Sequence, residues 1–372
     1  GKGNFADVDK NAWYSDDINI AKNQGYMQGV AANKAEPESS LTREQAVTLI
    51  CRALKIEGVD SDTFQFSDSR EFSQWSKEYI NAITNKKIVN GYPDSTFKPA
   101  NRMTRGEMAK VLSNLAGEIV KEKGDNYIGY ADKNVSMVKT GANLRDTIIP
   151  GDLFITAGLG KGASILDKVT VNGDLIISGT GNSESGEVSV LVKDSDINHL
   201  IIDSQSSEIM SVRAEGGSVI EKTTVKRNAY LEEDSDKNIA FKDVVLKGVS
   251  GTKLNMAGNF ENVKIMAANN QLSLSKGYIN ALTVDEEADK GSIFLEKETK
   301  VGALMIDTPT TVTGTGEIEQ VVINADGTNI SMLPKRIYIR PGIKAIINGK
   351  TMTSLDGEAN NADPEFKSDY PK

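Results

Sequence analysis

Two places in the chain put an arginine directly after a threonine, with an amide or carboxylate two residues further on: Thr42-Arg43-Glu-Gln45 and Thr104-Arg105-Gly-Glu107. The threonine and the Gln or Glu form a capping box, in which each side chain satisfies a backbone amide at a helix start. The arginine is not needed for that. A cation in the first turn opposes the positive end of the helix dipole. Beside free first-turn amides, however, a guanidinium makes a pocket for an anionic group. Arg105 is therefore read as an anion ligand ahead of a structural residue.

Other candidates for chemistry are weaker. Asp152 and Asp174 each follow a glycine, and Asp194, Asp196 and Asp203 lie close in sequence. A glycosidase needs two carboxylates on one surface, and a lyase needs an acidic cluster with a base. Asp after Gly is ordinary turn chemistry, and no stretch gathers Asp, Arg and Lys densely. His199 is the only histidine, stands in a strand pattern and is read as structural. Cys51, the only cysteine, excludes an intrachain disulfide and a cysteine-based zinc site. No catalytic residue, metal site or cofactor is assigned, and calcium has no supporting motif.

The arginines belong to a repeat. Copy one reads Phe5-Ala-Asp7, Trp13, Ala21, Gly29, Pro37, Thr42-Arg43, Gln45; copy two reads Phe66-Ser-Asp68, Trp75, Ile83, Gly91, Pro99, Thr104-Arg105, Glu107. The offset is 61 at the Phe and 62 from the Trp onward. Each copy is predicted to be helix, loop, helix. Thr42 and Thr104 open the second helices, with Val111, Leu112 and Leu115 facing inward in copy two and Gly117 as its stop. Trp13 and Trp75 are read as core packing.

The two copies resemble S-layer homology repeats, the wall-anchoring modules of bacterial surface proteins. The resemblance rests on Phe-x-Asp, Trp, Gly-Tyr-Pro-Asp-x-x-Phe-x-Pro and Thr-Arg-x-Glu, in that order. It implies binding of secondary cell-wall polysaccharide, often through negatively charged pyruvylated sugars, and an arginine that helps form a groove between repeats. The candidate wall-glycan-binding residues are Arg105, Thr104, Glu107, Gly91, Tyr92, Asp94, Arg43, Trp75 and Trp13. Copy one lacks the Gly-Tyr-Pro-Asp loop, so Arg43 is expected to matter less than Arg105. The family usually uses three repeats. Residues 119–143 are too short for a third, which precedes residue 1, comes from another chain or is absent.

After residue 143 the period changes. An apolar-x-x-(apolar or Thr)-x-apolar pattern starts at 144, 166, 197, 220, 241, 260, 279, 301 and 318, a mean spacing near 22. Short β-rich runs at that period mean a solenoid. The long step from 166 to 197 contains the Gly/Ser-rich run Gly179–Gly186. The expected fold class is α plus all-β multidomain: repeat one over 1–60, repeat two over 61–120, a linker and entry over 121–143, a right-handed parallel β-helix over 144–350, and a disordered polar tail over 351–372. The second half, together with the approach Tyr127-Ile-Gly-Tyr-Ala-Asp-Lys-Asn-Val135, also resembles β-helical regions that follow S-layer homology repeats in surface proteins of Gram-positive anaerobes. Its C-terminal end is expected to be covered by Ala345–Gly349 or by another chain.

Composition supports this division. Of 372 residues, 43 are Lys or Arg and 52 are Asp or Glu, giving a net charge of −9. That argues against general nucleic-acid binding. No apolar run is long enough to span a bilayer. No signal peptide opens the chain, and a lone cysteine fits an exported protein. The expectation is a non-enzymatic, secreted protein held in the cell wall or S-layer by secondary wall polysaccharide. Copies of itself or other surface-layer proteins are its further partners. The alternative is a wall-anchored β-helix that binds or degrades polysaccharide, as pectate-lyase-like proteins do. Exposed aromatics would mark a glycan-binding face, and between 144 and 340 they are sparse.

Overall fold

The structure is a computed structural model that describes residues 4–23, 25–54, 56–60, 64–156, 163–179, 188–204, 208–235, 239–356 and 361. The chain divides into two compact units between Ala116 and Gly117. Lys and Arg balance Asp and Glu within residues 1–116, so the whole net charge of −9 lies in the second unit.

The first unit is helix–loop–helix twice over: α1 (Ser15–Asn23), α2 (Arg43–Ala53), α3 (Lys77–Asn85) and α4 (Arg105–Ala116). Its core joins Val47 and Cys51 of α2, Ile80 and Ile83 of α3 and Val111 of α4 to Phe66, Phe72 and Phe97 from the loops. Burial pushes the Cys51 thiol up to about 12, so it is an inert core group. Three side chains expected inside lie outside. Leu112 is exposed, because it sits about 100° around α4 from the buried Val111. Trp13 is 88% exposed and Trp75 46%; both project from the segments leading into α1 and α3 rather than from a helix face.

Gly117 ends α4 with a left-handed φ of 64°. A side chain there would collide with the Asn134 carbonyl, which accepts the Glu118 amide. From Glu118 the chain winds into a parallel β-solenoid of about eleven turns. Each turn contributes to three ladders of parallel strands. One ladder runs from Glu118–Val120 through Val135–Met137 and Leu153–Ile155 to Arg336–Ile339. A second runs from Gly124–Tyr127 to Lys344–Ile347. The third joins residues 147–149, 169–171 and 196–197 and continues to 317–318.

All nine apolar triads point inward. Leu144, Leu166, Ile197, Ile220, Phe241, Phe260, Ile279, Val301 and Ile318 are buried, as are the two partners of each. Phe241 and Phe260 stack on adjacent turns with ring centroids 5.6 Å apart. The repeat nevertheless changes phase. Leu166 pairs with Val192, and Ile197 pairs with Val171. The triads at 144 and 166 straddle the corner between the second and third ladders; those from 197 onward straddle the third and first. A register shift between Val171 and Asp174 accommodates the extra residue of the Val171-Asn-Gly-Asp174 corner. The long step is thus partly a switch of corner; of the Gly179–Gly186 run, only Gly179 is among the described residues.

The solenoid also begins earlier than residue 144. Residues 121–143 are its first turns, not a linker. Their signal is weak because the strands have three or four residues and a polar residue occupies a core position. Asn126, in register with Leu144, donates its amide to the carbonyls of Glu122 (3.1 Å), Gly124 (2.9 Å) and Asn143 (3.2 Å). At the other end Lys344–Ile347 turns back through Asn348-Gly349 into Lys350–Thr353, the only antiparallel strand pair among the described residues. The φ values of 48° and 74° suit a two-residue primed hairpin turn, and Met352 covers the last turn of core. The tail expected to be disordered lies mostly outside the described residues.

Candidate functional site

Both capping boxes form. Thr42 Oγ1 accepts the Gln45 amide at 3.3 Å, and Gln45 Oε1 accepts the Thr42 amide at 2.9 Å. Thr104 Oγ1 accepts the Glu107 amide at 3.1 Å, and Glu107 Oε2 accepts the Thr104 amide at 2.7 Å.

The loop before each box has one backbone design in both copies. Asp7 accepts the amides of Ala35 and Glu36; Asp68 accepts those of Phe97 and Lys98. Asn33 and Glu36 have left-handed φ, as do Ser95 and Lys98, each 62 residues on. Gly29 and Gly91 lie so close to Phe5 and Phe66 that a Cβ would strike the ring. Copy one therefore keeps the loop despite losing Gly-Tyr-Pro-Asp. What it loses are the walls, since Val30 and Ala35 stand where copy two has Tyr92 and Phe97.

The arginines have opposite environments. Arg43 is only 6% exposed and reaches into the loop of copy two. Its Nη2 donates to the Asn90 carbonyl at 2.7 Å, its Nη1 lies 3.5 Å from Glu107 Oε1, and its guanidinium lies over the rings of Tyr92 (4.9 Å) and Phe97 (5.0 Å). The first-turn amides of α2 are also taken: Arg43 N donates to Asn101 O at 2.7 Å and Glu44 N to Pro99 O at 3.1 Å. The expected ranking of Arg105 over Arg43 concerns glycan binding; in the fold it is Arg43 that is built in. An arginine docks in the loop of the next copy, not its own, so the missing aromatics of copy one do not weaken Arg43.

Arg105 is the free counterpart. It is exposed, and neither its guanidinium nor the amides of Arg105 and Gly106 have a hydrogen-bond partner among the described residues. Gly106 adds no side chain to obstruct them. This edge combines an unpaired planar cation, two open amides and the positive end of a 12-residue helix.

The other candidates sort into supports and surfaces. Tyr92 donates its hydroxyl to Glu107 and lies under Lys98 Nζ at 4.4 Å. That bond, with the Thr104 contacts, holds the Glu107 carboxyl down at about 2, and the same contact raises the Tyr92 hydroxyl. Asp94 pins the loop turn: it accepts from Thr96 and pairs with Lys98 Nζ at 3.0 Å, which bring it to about 2. Both carboxylates are depressed, so their stabilisation is complete above their unfolded values and lost as pH falls through about 2. The helical unit should lose stability between about pH 4.5 and pH 2. Tryptophan fluorescence reads this unit alone, since both tryptophans lie in it. Glu107→Gln should flatten that acid limb; an unaltered profile would assign acid sensitivity elsewhere. Trp13 and Trp75 present ring surface to solvent, as sugar contacts require.

In the solenoid, sequence reading missed the hydroxyl partner of His199. A polar row crosses five turns: Asp152 N donates to Asn134 Oδ1 (2.9 Å), Asp174 N to Asp152 Oδ1 (2.9 Å), His199 Nδ1 meets Asp174 Oδ1 (3.0 Å) and His199 Nε2 meets Thr224 Oγ1 (2.9 Å). Thr224 is 25 residues from His199, so only the register brings them together. The order acid, imidazole, hydroxyl is that of a hydrolytic triad, yet Thr224 sits mid-strand between two paired strands rather than at a helix N-terminus, where an oxyanion is commonly held. Among the described residues no three His, Cys, Asp or Glu side chains converge on a metal position, and no helix is long and apolar enough to cross a membrane.

Residues 4–47 and 65–109 match the family model of the S-layer homology domain. The chain is similar to an amylopullulanase of Thermoanaerobacterium thermosulfurigenes, 32% identical over 119 residues, 30% of this chain and 6% of the relative. It is similar to the surface-layer 125 kDa protein of Lysinibacillus sphaericus, 30% identical over 116 residues, 30% of this chain and 10% of the relative. A cellulosome-anchoring protein of Acetivibrio thermocellus is 29% identical over 92 residues, 23% of this chain and 20% of the relative. The matches thus span a fifth or less of these relatives. No solved structure matches the chain. The helical unit carries two S-layer homology domains, residues 4–47 and 65–109, and a parallel β-solenoid follows them.

Proposed function

We propose that this protein is held at the cell surface by its S-layer homology domains, which bind an acidic group of secondary cell-wall polysaccharide at the open edge of α4. The carrying observation is the contrast between the arginines: Arg43 closes the joint between repeats, while Arg105 and two amides stand open. Trp13 and Trp75 offer stacking surfaces for neighbouring sugar rings. The relatives add support, since an amylopullulanase, a surface-layer protein and a cellulosome-anchoring protein are each similar to part of this chain while their names differ in chemistry. The last of these names states anchoring, and the second a place in the surface layer. The solenoid serves as a projecting or laterally packing module without catalysis. Thr224 of its Asp174–His199–Thr224 row lies within a strand paired on both sides, and the solenoid's negative charge keeps it off an anionic polymer.

Calorimetry with purified wall polysaccharide tests this. Arg105→Ala should weaken binding about tenfold or more, as expected for loss of a charge-assisted bond, without lowering the melting temperature. Arg105→Lys should fall between Ala and wild type, because it keeps charge but loses the planar fork. Affinity should drop with added salt. Equal affinities for wild type and Arg105→Ala would remove Arg105 from the site.

A further inference from the structure

We infer a second carbohydrate site, for uncharged pyranose rings, on the outer face of the first two solenoid turns around Tyr127. It lies in the part of the solenoid that begins before residue 144. The strand Gly124–Tyr127 is the first of its ladder and pairs on one side only among the described residues. Asp125 and Tyr127 alternate outward on it, with Asn143 and Arg145 in register on the next turn. The four side chains thus form a square on one flat face, an aromatic ring at one corner and planar polar groups at the other three.

Tyr127 is 64% exposed, and no earlier turn of its ladder stacks on the ring. The polar corners are held rigidly. Asn143 Nδ2 donates to Asp125 Oδ1 at 2.8 Å, Arg145 Nε lies 2.8 Å from Asp125 Oδ2, and Arg145 Nη1 pairs with Asp167 one turn further on. Around the adjoining corner Tyr130, 63% exposed, lies in register with the exposed Ile148. No other pair of exposed aromatics occurs within three residues on the described solenoid.

Three properties select the ligand. A flat exposed phenol ring offers its face to the C–H face of a sugar. A fixed carboxylate, guanidinium and amide side by side suit the vicinal hydroxyls of a pyranose, since each is planar and presents paired donors or acceptors. Asp125 and Asp167 outweigh Arg145 in charge, and the whole unit is acidic, which disfavours an acidic sugar. The ligand is therefore a neutral or N-acetylated pyranose chain, in contrast to the anionic group assigned to Arg105. The inference does not depend on that assignment.

The test uses the full chain and two neutral probes, cellotetraose and N-acetylchitotetraose, with affinity read by saturation-transfer NMR titration. At least one should bind with an affinity independent of salt. Tyr127→Ala should weaken it about fivefold, Tyr127→Phe should keep it because stacking remains, and Arg105→Ala should leave it unchanged. Tyr127 is exposed, so the melting temperature of Tyr127→Ala should equal that of wild type. Failure of both sugars to bind would overturn the inference. So would retention of wild-type affinity by Tyr127→Ala, which would place the binding on the helical unit, or an affinity that falls with salt. None of these results bears on binding of acidic wall polysaccharide, which is read separately through Arg105.

Discussion

Replacing Leu282 by Asp should abolish the cooperative unfolding transition of the solenoid. Leu282 is fully buried, in register with Val263 on one turn and Leu304 on the next. The substitution removes an apolar side chain worth about 2–5 kcal/mol and places a carboxyl where nothing can solvate or pair with it. Because each turn rests on its neighbours, the damage spreads along the stack instead of staying local. Val263→Asp should behave alike. Val249→Asp, at an exposed position, should leave the melt unchanged. Circular dichroism melts decide the matter. A wild-type transition in Leu282→Asp would mean that the triads do not face the core.

Arg43→Ala should be the most damaging single change in the helical unit. It strips the Asn90 carbonyl of its donor, removes the cation beside Glu107 and leaves the space between Tyr92 and Phe97 empty. Arg43 is buried while the Glu107 side chain is 26% exposed, so loss of these contacts costs about 1–3 kcal/mol. Arg43→Lys should recover little, since an ammonium cannot donate to the carbonyl and carboxylate while lying flat over the rings. Arg105→Ala should be neutral in the same measurement. Urea unfolding followed by tryptophan fluorescence reports the helical unit without interference from the solenoid. A loss below about 0.5 kcal/mol for Arg43→Ala would show that the joint contributes nothing measurable.

What the sequence disclosed follows from where each signal is local. The capping boxes are legible because Thr104 and Glu107 interact across three residues, and the apolar triads because inward positions recur along one strand corner. Signals that depend on pairing across the chain were hidden. The partner of Arg43 lies 47 residues on at Asn90, in the other copy, so its structural role is not legible within copy one. The switch of corner between 166 and 197 was invisible because the apolar spacing is the same on both sides of it, and only the pairing of Ile197 with Val171 reveals it. The first turns carry no apolar triad, because Asn126 takes the inward position in register with Leu144, so the triads begin only at 144. Tyr127 and Tyr130 lie before that first triad, outside the stretch where the apolar period marks the solenoid. The tryptophans were misplaced because residue type predicts burial only on average, and here the loop geometry turns both outward.

The central claim is that the helical unit attaches the protein to wall polysaccharide. Its most direct measurement is co-sedimentation of the full chain with purified wall sacculi, before and after chemical removal of the secondary polysaccharide. The protein should sediment with intact sacculi and remain in solution with stripped ones, and Arg105→Ala should remain largely in solution with both. Equal sedimentation of the wild-type chain with intact and stripped sacculi would contradict the account, because the attachment would then be to peptidoglycan or to nothing specific.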